Sequence, residues 1–152
     1  MKIEKVEIRH IKMELVNPFV TSMGTEYDEE HIIVRVDGEG LTGWGESVAE
    51  GTPFYSYETV QTAWHILSDF LIPSILGKNL ENVSEAIELN KRVRGHMMAK
   101  AGLESALWDL FAKSQNISLS EILGGTRKKI DVGVSIGIQD SESVLIKKVN
   151  EY

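Results

Sequence analysis

The chain has no cysteine and only three prolines in 152 residues. Without cysteine, disulfide bonds and thiolate metal sites are excluded and nothing indicates an oxidising compartment, so a cytoplasmic protein is expected. Long apolar runs are also missing. No stretch approaches the roughly 20 apolar residues that a membrane span needs, and the first residues lack the apolar core of a signal peptide. We therefore expect no membrane partner.

Positive charge is scarce as well. The chain carries 16 Lys and Arg against 23 Asp and Glu, which gives a formal net charge of −7. This sign is unsuited to phosphate backbones, so nucleic acid is not an expected partner. Apolar residues make up 42% of the chain, which is enough to bury a core.

The first third of the chain has the alternating pattern of strands. Residues 2–15 predict one strand, and Ile32, Val34 and Val36 mark a second. A turn at residues 37–40 leads into a third strand over 41–48. These three predict an antiparallel meander, with the polar stretch 17–30 as a loop and a candidate for ligand contact.

Helical spacing follows the strands. It predicts a helix from an N-cap at Ser56 to Pro73, then helices over 83–93 and 99–114. Ser118 and Glu121 form a capping box that opens a short turn of helix. Strands followed by helices indicate an α+β unit that ends near residue 126.

Residues 127–152 have a different residue pattern. Aliphatic residues from Ile130 to Ile136 alternate with small or polar ones, which is typical of the first strand of a parallel barrel. Ser135 would lie near its carboxyl end, where such barrels keep their chemistry. Asp140 or Ser141 then caps a helix. One strand and part of a helix cannot close a barrel, so the pattern predicts a truncated barrel whose unpaired strand favours self-association.

Several motifs occur together and in order. They are Gly43-Trp-Gly-Glu-Ser47, Asn17-Pro-Phe-Val-Thr-Ser-Met-Gly24, residues 98–110 and Ile122-Leu-Gly-Gly125. Together they resemble the muconate-lactonizing subgroup of the enolase superfamily. Residues 53–56, 95–100 and 133–137 are most similar to o-succinylbenzoate synthases related to N-acylamino acid racemases. The resemblance covers essentially the whole chain.

The resemblance implies an enolase-like N-terminal capping domain over residues 1–126 and the start of the truncated barrel over 127–152. The full-length parent would hold Mg²⁺ with three carboxylates on barrel strands, and two lysines would move a proton next to a substrate carboxylate. Dehydration would give the o-succinylbenzoate of menaquinone biosynthesis, and return of the proton would give racemisation.

The family's Lys-Xaa-Lys motif has no counterpart here, because the lysine pairs at 128–129 and 147–148 are adjacent. We therefore expect no catalytic residue, no bound metal and no activity in this chain alone.

The resemblance also implies substrate-binding residues. Phe19 and Tyr55 match positions that close over the variable side group of a small carboxylate substrate. Met23 and Glu50 lie in the same two loops, and Ser135 matches a polar position at the barrel mouth. Structural interpretations stand beside these: Phe19 could anchor its loop to the meander, Tyr55 could pack near the start of a helix, and Ser135 could simply be small enough to fit.

Two other functions compete with an enzyme part. One is a stand-alone binding or interaction module derived from the cap. The other is a complete hydrolase built on Glu46, Asp109 and His96, for which the residues give little support. Glu46, Glu104 and Asp109 are interpreted as structural.

Overall fold

A computed structural model describes all 152 residues. Its elements are β1 (Lys5–Thr21), β2 (Gly24–Gly38), β3 (Leu41–Ser47), α1 (Val60–Ile66), α2 (Ile72–Ile75), α3 (Val83–Asn90), α4 (Met97–Ser114), α5 (Leu119–Ile122) and α6 (Glu142–Val149), with a π-helical segment, Leu67–Leu71, between α1 and α2. Strands precede helices, as predicted for an α+β unit. None of the helices is long and apolar enough to cross a membrane.

The three strands form one sheet in the order β1-β2-β3. β2 and β3 are antiparallel, with Val34 opposite Gly45 and Val36 opposite Gly43. Ile32, Val34 and Val36 are fully buried, because alternate residues of a strand point to the same face. The predicted antiparallel meander is confirmed.

Helix α4 packs closely on β3. A Cβ atom on Gly43 would collide with the carbonyl oxygen of Ala106, and one on Gly45 would collide with that of Gly102. Only a strand without side chains at these positions lets the helix backbone come so near. Asp109 of α4 also accepts a hydrogen bond from the backbone N–H of Trp44 at 2.9 Å.

The hydrophobic core takes one apolar stripe from each main helix and one face of the sheet. Its buried members are Ile3, Ile32, Val34, Val36, Ala49, Val60, Ala63, Leu67, Leu71, Ile75, Leu80, Val83, Ala86, Ala99, Leu103, Ala106, Leu107, Leu110 and Phe111.

The predicted loop over residues 17–30 is wrong. β1 continues to Thr21 and β2 begins at Gly24, so the segment is the end of a long β-hairpin with Ser22 and Met23 in its turn. The polar composition misled the prediction, because a solvated hairpin has no buried face to impose alternation.

The first helix also departs from the prediction. Its N-cap is Thr59, not Ser56, and Thr59 and Thr62 form a reciprocal capping box. Pro73 does not end the helix, which runs on to Ile75. The π-helical segment ends at Leu71, and Pro73 lies in the first turn of α2, where proline is tolerated because its missing backbone N–H is not needed.

The remaining helix ends are close to their predicted positions. α3 ends at Asn90 rather than at residue 93, and α4 begins at Met97 rather than at residue 99. The capping box of Ser118 and Glu121 is confirmed, with hydrogen bonds of 2.8 and 3.1 Å. Ser141, the second of the two predicted caps, is the N-cap of α6.

The chain divides into two compact units. One contains residues 1–12 and 30–126, and therefore β3, the base of the hairpin and α1 to α5. The other contains the hairpin end, residues 13–29, together with residues 127–152. In this second unit residues 129–139 belong to no sheet, so the barrel strand over these residues stays a prediction.

Candidate functional site

Phe19 lies near the end of β1, in the unit that also holds residues 127–152. The backbone N–H of Ile138 donates to the carbonyl oxygen of the next residue, Val20, at 2.8 Å. A Cβ on Gly137 would lie 3.3 Å from Cδ2 of Phe19. The hairpin end therefore contacts the segment that carries Ser135, and Phe19 remains 37% exposed.

Met23 and Ser135 belong to the same unit as Phe19. Met23 is in the hairpin turn and is 63% exposed. Its N–H donates to the hydroxyl of Thr21 at 3.1 Å, and that hydroxyl donates to the Gly24 carbonyl at 3.3 Å. Hydrogen bonds within the turn therefore stabilise it, while the side chain of Met23 is exposed to solvent. Ser135 is exposed on the unpaired segment.

Tyr55 and Glu50 belong to the other unit, in the segment between β3 and α1. Tyr55 is 73% exposed, at the tip of a loop over residues 51–58 that we call the capping loop. The loop is closed at its base, where the N–H of Val60 donates to the Glu50 carbonyl at 2.8 Å. Glu50 also forms a β-bridge with Thr59, so its backbone has a structural role.

Glu58, at the end of the capping loop, is a feature that the sequence did not reveal. Its side chain is almost fully buried, at 2% exposure. Its carboxylate accepts hydrogen bonds from the backbone N–H groups of Met98 and Ala99, at 3.0 to 3.1 Å. No local pattern marks this role, because the two partners lie 40 and 41 residues further along the chain.

Asp109, which was considered for hydrolysis, and Glu104 both make structural contacts. Asp109 binds the Trp44 backbone and, at 2.7 Å, the ammonium group of Lys113. Glu104 accepts from the indole N–H of Trp108 at 3.2 Å. His96 is the N-cap residue of α4 in a left-handed conformation.

No group of three or more His, Asp or Glu side chains in this structure could hold a metal ion.

Lowered carboxyl pKa values occur away from the five candidate residues. Hydrogen bonds from Lys5 and Arg9 lower the pKa of Glu7 to about 2. A hydrogen bond from Thr42 lowers the pKa of Asp37, and the backbone N–H of Ser118 lowers that of Glu121. These shifts follow from local strand and capping contacts, so they do not single out a catalytic group.

Curated proteins match this chain over its whole length. It is 48% identical over its whole length to the o-succinylbenzoate synthase of Geobacillus kaustophilus. It is 40% identical, again over 100% of its length, to the N-succinylamino acid racemase of Thermus thermophilus. The chain spans 41% of the length of each of these relatives.

Solved structures give the same result. A member of the enolase superfamily from Listeria innocua superposes with a TM-score of 0.91 at 36% identity, covering 99% of this chain and 41% of that one. The L-Ala-D/L-Glu epimerase of Bacillus subtilis superposes with a TM-score of 0.88 at 29% identity, covering 99% and 42%. Residues 3–124 match the family described as mandelate racemase / muconate lactonizing enzyme, N-terminal domain. The chain therefore belongs to that family, as the N-terminal part of an enolase-superfamily member.

Proposed function

We propose that this chain is the substrate-capping part of an o-succinylbenzoate synthase with a related racemase activity on N-succinylamino acids. The observation that carries the proposal is the 48% identity to a synthase along the entire chain. Relatives named as synthases and as racemases both match over the whole chain, so both reactions belong to the proposal.

In this proposal exposed side chains of this chain contact the substrate. Phe19 and Met23 on the hairpin end and Tyr55 on the capping loop contact its variable side group. Their exposure of 37%, 63% and 73% leaves apolar surface available for that contact. Ser135 supplies a hydroxyl that can hydrogen-bond a polar substrate atom, and Glu50 sets the charge at the base of the capping loop. The substrate is a small carboxylate.

The chemistry belongs to the longer enzyme. Proton abstraction next to a carboxylate produces an enediolate, and a bound Mg²⁺ would supply electrostatic stabilisation for that charge. The residues of this chain do not fit such a metal, because they bring no three ligating side chains together. We therefore assign to this chain substrate contact alone, and we expect it to be inactive by itself. The cytoplasmic location stays a prediction.

The experiment starts from the natural gene product. Its intact mass is measured in cell extract, and it is assayed for Mg²⁺-dependent dehydration and for racemisation of N-succinylamino acids. The purified 152-residue chain is assayed in parallel. We expect a product well over twice this mass, since the chain spans 41% of its relatives, with both activities absent from the short chain.

Two results would contradict the proposal. Turnover by the 152-residue chain would place catalytic groups within it. A natural product without either activity would favour the stand-alone binding module instead.

A further inference from the structure

The capping loop carries exposed aromatic side chains on a closed base. Phe54 and Tyr55 are 76% and 73% exposed, while Val60 and Glu50 join the loop ends by a hydrogen bond of 2.8 Å. A loop of this kind keeps its ends fixed but leaves its tip free unless further contacts hold it. On the C-terminal side of the capping loop, Ser56, Tyr57 and Glu58 make such contacts.

Glu58 provides the strongest of these contacts. A carboxylate that is 98% removed from solvent accepts three hydrogen bonds from two backbone N–H groups in the first turn of α4. Those N–H groups have no partner within the helix, and the positive end of the helix dipole favours a carboxylate there. Hydrogen bonds to a charged acceptor are also stronger than neutral ones. The end of the capping loop is therefore attached to the longest helix of the unit.

Neighbouring residues extend the attachment. The N–H of Glu58 donates to the hydroxyl of Ser56 at 3.2 Å, which tightens the turn directly after Tyr55. The Tyr57 ring meets the His96 ring edge-on, with centroids 6.4 Å apart. The Tyr57 hydroxyl also lies 3.3 Å from where a Cβ of Gly95 would be, and Gly95 has a φ of +65°. Glycine at that position thus leaves room for the tyrosine.

We propose that Glu58 is a positioning residue that fixes the capping loop on α4 and so sets where Tyr55 contacts the substrate's side group. This inference rests on the proposed function, because Tyr55 is assigned to the substrate only there. Glu58 itself touches no substrate. It acts by removing conformations of the loop tip that would otherwise be populated in the free enzyme.

The test uses the natural gene product and racemisation of N-succinylphenylalanine, which has a large side group. Glu58→Ala, Tyr55→Ala and the double variant are compared, with Glu58→Gln as the conservative replacement. Asn82→Ala is the matched control, because Asn82 caps α3 through the N–H of Glu85 at 3.2 Å and is not part of the loop.

We expect Glu58→Ala to raise KM on the order of tenfold, with a smaller effect on kcat, because a misplaced contact weakens binding of the side group. Adding Glu58→Ala to Tyr55→Ala should change KM by less than about twofold, since residues that act through each other are not additive. Glu58→Gln retains one acceptor oxygen, so its KM should lie between those of Glu58→Ala and the unmodified enzyme. Asn82→Ala should leave KM at the level of the unmodified enzyme.

An unchanged KM in Glu58→Ala, or an equal further rise in the Tyr55→Ala background, would overturn the inference. Activity of the unmodified protein distinguishes the two proposals, and hydrogen exchange of the backbone amides within 51–57 reports whether Glu58→Ala loosens the loop. If the unmodified protein turns over no substrate, the proposed function fails and the role of Glu58 toward substrate fails with it, whatever the exchange shows. If the protein is active while exchange and KM are both unaffected by Glu58→Ala, only the positioning role fails.

Discussion

Glycine residues decide how closely the first unit can pack. A Cβ on Gly45 would lie 2.6 Å from the backbone nitrogen of Ala106 and would collide with the carbonyl oxygen of Gly102. The Gly45→Ala variant should therefore lose roughly 1–3 kcal/mol of unfolding free energy, because backbone atoms cannot move aside as a flexible side chain can. Urea denaturation of the chain measures this. Gly133→Ala is the control, since nothing lies within 4 Å of its added Cβ; equal losses in both variants would contradict the packing argument.

A hydroxyl and a guanidinium hold the Asp37 carboxylate in its charged form. The hydrogen bond that Thr42 donates to Asp37 at 2.6 Å is the largest single cause of the lowered pKa of Asp37, and Arg35 lowers it further by a hydrogen bond of 3.0 Å and by its charge. Thr42→Val should therefore raise the pKa of Asp37 toward its ordinary value, and Arg35→Gln should raise it as well. Titration of the carboxyl carbon by NMR measures both. An unchanged pKa in Thr42→Val would contradict this assignment.

The same interaction has a consequence for acid stability. A carboxyl whose pKa is depressed in the folded state contributes stability above its unfolded pKa and loses it as the pH falls through the folded pKa. Thr42→Val should therefore begin to unfold at a higher pH than the unmodified chain in an acid titration followed by circular dichroism.

At the scale of elements, the sequence predicted best the strands and helices whose buried apolar residues recur at a regular spacing. The meander and the core stripe of α4 were predicted from apolar spacing, and the box at Ser118 from two residues alone. The end of the hairpin was missed, because exposed strands such as those around Val16, at 98% exposure, carry no buried face to detect. Glu58 was missed because its partners are distant in sequence. The five candidate site residues came from family resemblance, and no contact in the structure tests their role.

The start of α1 shows how two equally good capping signals compete. Ser56 and Thr59 are both suitable N-caps by residue type, but only Thr59 is reciprocated by a second side chain, Thr62, at 2.8 and 3.3 Å. Thr59→Ala should destabilise the chain by about 1 kcal/mol in thermal or urea unfolding. Ser56→Ala, its matched control, should lower the free energy of unfolding clearly less. A larger loss in Ser56→Ala would indicate that Ser56 is the N-cap.

At the scale of the whole molecule, the chain carries apolar surface that its own residues do not cover. Ile130, Val132 and Val134 are 71%, 87% and 54% exposed on the unpaired segment. An unpaired backbone beside exposed aliphatic side chains is a template for pairing with another chain. We therefore propose that the 152-residue chain self-associates and that the longer enzyme forms homo-oligomers.

Sedimentation velocity over a range of chain concentrations tests that proposal. Dimers or larger species should increase with concentration, and Val132→Asp should reduce them, because a charge desolvated in an aliphatic interface is costly. Val48→Asp places the same charge on another exposed valine, at 50% exposure and outside the segment, and should leave the distribution unchanged. A chain that stays monomeric throughout, with the amides of residues 130–138 protected from exchange, would show that the segment satisfies its own backbone and needs no second copy.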